Sequence, residues 1–283
     1  MYLRTRLLLA ANRLFKAPVH PFNLRSAGEK SYAQWQFDWG QKTIEFFLAR
    51  YTEEEMFRDK TVLDIGCGAA GKSLYYASRG AQKVYGLEIL EQYRAEAMAL
   101  AEEKGLTERF EFVCGDSAAM PFPDGFADTV IVNDAMEHVA EPEATLREIL
   151  RVLKPGGRAF INFPPYYHPM GAHLTDAIYV PWVQCFFPDK VLIEAYEARV
   201  ADLPDGAERV RFRISKDEKG DEYFSYINKM TLKRFRRILR ELELQPEYWY
   251  EAPLRGFLKP LARFPLTREL FVKMAVCVLK KPD

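Results

Sequence analysis

The chain has 283 residues, 48% apolar and 28% charged, with 40 basic residues against 40 acidic ones. That length predicts one domain with a large insertion, and the composition excludes wholesale disorder. A formal net charge of zero excludes a global field drawing the protein to nucleic acid or membrane. The balance hides a gradient: residues 84–150 hold 15 acids and 4 bases, whereas 229–281 hold 13 bases and 5 acids. Cys67, Cys114, Cys185 and Cys277 are too far apart for a C-x-x-C pair. Neither a zinc ribbon nor a disulfide framework is indicated, and a reducing, cytoplasmic setting is expected. No apolar run reaches the ~18 residues of a membrane span. Tyr2–Ala11 imitates the start of a signal peptide, but Asn12 and Arg13 interrupt it, so it reads as part of the mature protein.

Residues 1–58 read as a helical cap. Leu3, Leu7, Ala10 and Leu14 share one helical stripe, and Lys42–Leu48 suggests a second helix. Thr61–Ile65 is then a short continuous apolar run ending in glycines, as a buried parallel strand requires. A helix over 74–78, a strand at Lys83–Leu87, a helix over 90–104 and a strand at Phe110–Cys114 follow. Asp128–Val132 is a fourth strand, 141–153 a helix, and Arg158–Phe163 a fifth strand. This alternation means βαβ units and an α/β fold with a parallel sheet. Past Pro164 and Pro165 it stops, and it resumes with a helix over 229–243 and strands at Glu247–Tyr250 and Met274–Leu279. Residues 166–228 are therefore an insertion within the domain 59–283.

Asp64-Ile65-Gly66-Cys67-Gly68-Ala69-Ala70-Gly71 joins the first strand to the first helix and satisfies G-x-G-x-x-G from Gly66. Glycines at Gly66, Gly68 and Gly71 allow a tight turn and close approach of a ligand. The second strand ends in Glu88, placed to accept hydrogen bonds from ribose hydroxyls. The pattern alone does not separate a nicotinamide cofactor from S-adenosylmethionine. Asp64 tips the choice, because a carboxylate there crowds a pyrophosphate but suits an ammonium and a sulfonium. Asp116 and Ser117 end the third strand, where the acid suits an adenine amine, and Asn133 ends the fourth. The carboxyl edge is where such sheets bind ligands.

Val62–Gly68 resembles the first motif of the class I S-adenosylmethionine-dependent methyltransferases. Glu88, Gly115–Asp124, Glu137-His138-Val139 and Leu150–Arg158 are also similar to that family, particularly its small-molecule branch. Ala70 and Lys72 stand where many members differ. The resemblance implies S-adenosylmethionine as cofactor. It also implies a Rossmann-like, doubly wound seven-stranded sheet with an antiparallel last strand, here with the N-terminal helical cap and a lid after strand 5.

Methyl transfer to a hydroxyl or carbon benefits from a base, and the chain has four histidines. His138, just after the fourth strand, and His173, in the loop after the fifth, are the catalytic candidates. His20 lies in the leader, and His168 beside Pro169 reads as structural. No metal site is expected. Tyr32, Trp35, Tyr166, Tyr167 and His173 are candidate substrate contacts, the aromatics serving a cation or an apolar substrate. Six bases between Lys229 and Arg240 read as the solvated face of one helix rather than a nucleic-acid stripe. Residues 1–16 and 254–273 mix leucines and phenylalanines with bases, which raises peripheral membrane contact and a lipid-linked or quinone-like substrate. The expected activity is methyl transfer to a small organic molecule with an apolar or aromatic part. An NAD(P)-dependent oxidoreductase and a noncatalytic S-adenosylmethionine-binding protein are the alternatives.

Overall fold

A computed structural model describes residues 2–20, 22–23 and 30–283. Residues 1, 21 and 24–29 of the expected cap lie outside the described residues. The chain forms two compact units, one of Lys30–Phe163, Lys233–Ala252 and Met274–Asp283, the other of Met1–Glu29, Pro164–Leu232 and Pro253–Lys273. This division differs from the three segments read from sequence. Residues 30–58 go with the sheet, and 253–273 go with the insertion.

The first unit is built on seven strands: β1 (Thr61–Ile65), β2 (Lys83–Glu88), β3 (Phe110–Cys114), β4 (Ala127–Asn133), β5 (Leu153–Phe163), β6 (Tyr248–Pro253) and β7 (Val272–Lys280). Their order is β3-β2-β1-β4-β5-β7-β6. The first five pair in parallel, and β7 runs antiparallel to β5, with Ile161 opposite Cys277. The order reverses between β1 and β4, which opens a crevice at their carboxyl ends. Central strands are buried on both faces, so Val62, Leu63 and Ile65 are all inside, as are Val130, Ile131 and Val132. One core face carries Phe57 stacked on Tyr76 at 4.9 Å and Phe47 edge-on to Phe160 at 5.4 Å.

The helices expected over 74–78 and 229–243 span Gly71–Ser78 and Leu232–Glu241, and two others differ further from expectation. That expected over Lys42–Leu48 spans only Gly40–Ile44, after which Phe47 N–H bonds the Ile44 carbonyl at 2.9 Å in a tighter turn. Its start is pinned against Tyr75, whose Cγ lies 2.2 Å from where a Gly40 Cβ would sit. The helix expected over 90–104 opens as a 3₁₀ turn, Glu91–Tyr93, before Arg94–Glu103.

The second unit has its own core, with Leu8, Leu174, Ile178, Leu192, Ile193, Tyr196, Val200 and Phe224 packed together. Helices Leu3–Asn12, Asp189–Val200 and Gly206–Arg213 contribute, with the hairpin Ile214–Lys216/Glu222–Phe224. The leucine stripe of the first helix points outward. Thr5, Leu8 and Asn12 are the buried side chains, while Leu3 and Leu7 are exposed. Asn12 accounts for the inversion, because its amide donates to the Ala177 carbonyl and accepts from Tyr179 N–H.

At the centre of this unit the Asp176 carboxylate, with no exposure, accepts from Tyr196 Oη at 2.8 Å and pairs with Arg209 Nη1 at 3.2 Å and Arg213 Nη2 at 3.0 Å. Arg213 lies against the rings of Phe22, Tyr196, Phe212 and Tyr226. Removing one member of such a cluster strands buried charge. Asp176→Ala is expected to lower stability by about 3–5 kcal/mol in urea unfolding, and an unchanged midpoint would contradict this account of the unit.

Candidate cofactor site at the carboxyl edge of the sheet

The glycine loop leaves β1 with Gly66 N–H bonded to the Leu87 carbonyl at 2.8 Å, so the loop is stitched to β2. Gly66 and Gly68 have φ of +71° and +56°, the left-handed region where a side chain is strained. A Cβ on Gly66 would lie 2.7 Å from the Ala135 Cβ. Gly68 N–H donates to Glu88 Oε2 at 2.9 Å, and Leu90 N–H donates to Oε1 at 3.0 Å. The acid ending β2 is thus fixed beneath the turn by backbone donors. Burial pushes its carboxyl up, while those donors pull it down.

Asp64 lies behind the loop rather than on its rim. It is 2% exposed, and Oδ2 accepts from Ser73 Oγ at 2.6 Å. Burial pushes it up to about 6, against opposing pulls from Ser73 and Lys72.

Helix Tyr32–Asp38 covers the loop, capped where Ser31 Oγ accepts from Gln34 N–H. Its Gln36, buried, accepts from Gly71 N–H at 3.2 Å and donates to the Cys67 carbonyl at 3.5 Å. A Cβ at Gly71 would fall 2.0 Å from the Ala33 carbonyl oxygen, so Gly71 serves the approach of this helix. Tyr32 sits over the turn, its Cε1 3.3 Å from a Gly68 Cβ position. Its ring stacks on Trp35 at 6.4 Å, and Trp35 on Trp39 at 5.9 Å. Burial, then Tyr93, Glu88 and Asp134, push the Tyr32 phenol well up and keep it protonated.

At the end of β4, Asn133 is buried and Asp134 adopts φ +51°, which aspartate tolerates better than most residues. Lys72 Nζ donates to the Asn133 carbonyl at 3.2 Å and lies 3.6 Å from Asp134 Oδ2. With its amide turned to satisfy its neighbours, Asn133 accepts from Lys72 at 2.7 Å and donates to the Thr43 carbonyl at 3.0 Å. Asn162 on β5 accepts from Asp134 N–H and donates to the same Thr43 carbonyl. Beyond the strand, His138 Nε2 lies 3.8 Å from Glu137 Oε1. Burial first, and Asp134 second, push the Glu137 carboxyl far up. At the end of β3, exposed Asp116 accepts from Ala118 N–H at 2.8 Å, and Ser117 Oγ lies 3.0 Å from Thr145 Oγ1.

The sheet unit thus holds Tyr32, Trp35, Asp64, Gly66, Gly68, Gly71, Glu88, Asp116, Ser117, Asn133 and His138, drawn from one helix and the carboxyl ends of β1–β4. Tyr166, Tyr167 and His173 belong to the other unit. There Tyr166 is buried with its ring 5.2 Å from Tyr167, and His173 takes φ +54° with its carbonyl accepting from Tyr226 Oη at 2.5 Å. Sequence reasoning missed Gln36, Glu137 and Asn162 as site-builders, and it registered Lys72 only as a departure.

The donor set fits S-adenosylmethionine. Glu88 and Asp116 are acceptors suited to ribose hydroxyls and an adenine amine, and Lys72 is the matching cation for a carboxylate. Asp64, Asp134 and Glu137 lie around that lysine and Glu88 lies close to Asp64, a poor cradle for a diphosphate. An open α/β sheet with a glycine turn and an acid-lined switch point is the architecture of a nucleoside-cofactor domain.

Residues 63–161 match the methyltransferase domain family model. A probable chloroplastic tocopherol O-methyltransferase of Oryza sativa subsp. japonica is 36% identical over 104 residues, 37% of this chain and 29% of that protein. A sterol 24-C-methyltransferase of Gibberella zeae is 42% identical over 96 residues, 34% of this chain and 25% of that protein. Norajmaline N-methyltransferase of Rauvolfia serpentina is 33% identical over 109 residues, 38% of this chain and 37% of that protein. The chain matches well under half the length of each. The fold is similar to the [4+2]-cyclase SpnF, with TM-score 0.54 and 18% identity over 90% of this chain and 84% of that one. It is also similar to a Methanosarcina mazei SAM-dependent methyltransferase, with TM-score 0.50 and 21% identity over 84% and 97%. Over residues 63–161, about a third of its length, the chain is thus similar to methyltransferase domains.

A carboxyl raised by folding binds its proton more tightly in the native state. The stability it contributes is full below about pH 4 and is lost as pH climbs through about 6. Asp64→Asn is therefore expected to flatten the pH dependence of the urea midpoint across that window, and an unchanged slope would contradict the burial of Asp64.

Proposed function

We infer that the protein transfers a methyl group from S-adenosylmethionine to a small organic molecule with an apolar or aromatic part. The observation that carries this is Glu88, locked under the left-handed turn at Gly68 and roofed by Tyr32. Bound there, the cofactor supplies an activated methyl, and the protein's work is to hold and orient. Such positioning is worth ~7–11 kcal/mol. Gly66, Gly68, Glu88, Asp116 and Ser117 are assigned to the nucleoside, and Lys72 with Asn133 to the amino-acid end. Gln36, Asp64 and Gly71 act by fixing the loop. The relatives are named for tocopherol, a sterol and norajmaline, and their apolar bodies support the same substrate class here. Substrates dissolved in a bilayer fall within it.

His138 and His173 are the candidate bases for a hydroxyl or carbon nucleophile, an aid worth ~10²–10⁴-fold. Tyr166 and Tyr167, on the segment following β5, are the candidate substrate contacts with Tyr32 and Trp35. No described helix is long and apolar enough to cross a membrane.

S-adenosylhomocysteine is expected to raise Tm by mass action, whereas NADH leaves it unchanged. Glu88→Gln should weaken that binding roughly 10- to 100-fold, the worth of a charge-assisted hydrogen bond; equal affinity would move the site elsewhere. Transfer of labelled methyl into fractionated metabolites and lipids tests the activity itself. In that assay His173→Ala should lower turnover more than it alters S-adenosylhomocysteine affinity, and full turnover would remove His173 as a base.

A further inference from the structure

We propose that the helical segment 255–266 is a docking surface for an anionic bilayer. Among these twelve residues only Ala262 is buried and only Leu258 partly so. Phe257 and Leu266 are 81% and 84% exposed, and Phe264 and Leu261 join them at the surface. A segment that spends one small side chain on its own core gains nothing within the monomer from four large apolar ones. Their arrangement excludes an accident of composition. Gly256–Leu258 and Lys259–Arg263 form consecutive helical turns, with Pro260 at the start of the second. Arg255, Lys259 and Arg263 alternate along the segment with Phe257, Leu261 and Phe264, and no acid falls between Arg255 and Arg268.

That alternation is the chemistry of an interface with anionic lipid. The rings and leucines enter the acyl boundary while the long basic side chains reach up to the headgroups. A partner copy of the same chain would have to bring three further positive charges against these, which disfavours a self-complementary contact.

The first helix of the same unit repeats the pattern. Leu3, Leu7 and Leu14 are exposed, and residues 2–19 carry Arg4, Arg6, Arg13 and Lys16 without an acid. One stretch of chain braces the first helix and the helix Arg268–Phe271 that follows the segment. Asn12 bonds the backbone at Ala177 and Tyr179, and Trp182 Nε1 donates to the Leu270 carbonyl at 3.1 Å. The zero net charge is thus no guide to this face, because the bases are gathered here and the acids along 84–150.

The test is sedimentation of the whole chain with vesicles, without cofactor or substrate, so that its outcome is independent of methyl transfer. Mixed phosphatidylcholine–phosphatidylglycerol vesicles are expected to carry the protein down, pure phosphatidylcholine to carry little, and added salt to reverse the difference. The double variant Phe257→Ser with Leu266→Ser should partition at least about tenfold less at an unchanged Tm. Lys259→Glu with Arg263→Glu should remove the dependence on phosphatidylglycerol. The proposal is overturned if the wild type stays in solution with anionic vesicles at low salt, or if both double variants bind as the wild type does. It is equally overturned if sedimentation equilibrium shows a wild-type dimer that the serine variant loses, since a second copy would then cover the face.

Discussion

The bond from Gly68 N–H to the Glu88 carboxylate ties the turn after β1 to the end of β2, and most of the site follows from it. It requires Gly68 at φ +56°, which favours glycine there. It leaves Glu88 half-buried yet still an acceptor, because backbone donors oppose the desolvation that would protonate it. It also sets the height of the turn, and that height is what the helix Tyr32–Asp38 is built to meet. Gln36 braces the turn from above, as Glu88 does from below.

A second constraint is electrostatic. Around the half-buried Lys72 the fold brings Asp64, Asp134 and Glu137, with Glu88 close to Asp64. Burial raises the carboxyls of Asp64, Glu88 and Glu137, and a neighbouring acid adds to the rise at Asp64 and Glu137. A cationic, sulfonium-bearing cofactor relieves this crowding where a diphosphate would add to it. The fold alone would not say so. A similar fold belongs to the [4+2]-cyclase SpnF, and the functional reading here rests on the side chains at the edge.

The first five strands were legible because each holds a short apolar run closed by glycine, proline or an acid. β1 and β3 coincide with their runs, and the turn was legible because Gly66, Gly68 and Glu88 announce it by spacing. What escaped notice depends on closeness in space. Gln36 is one of two glutamines among aromatics, and only its bonds to Gly71 and Cys67 across the packed helix give it a role. Arg209 and Arg213 look like a solvated i,i+4 face, yet Asp176, far away in sequence, buries both. The leucine stripe of the first helix was visible, but its direction was not, because Asn12 finds polar partners that no periodicity reveals.

The most direct measurement is a crystal structure of the protein with S-adenosylhomocysteine. The account predicts the ribose hydroxyls within hydrogen-bond reach of Glu88, beneath the Tyr32 ring and beside the turn at Gly66–Gly68. A nucleoside bound away from Glu88, or a diphosphate seated on that turn, would contradict it.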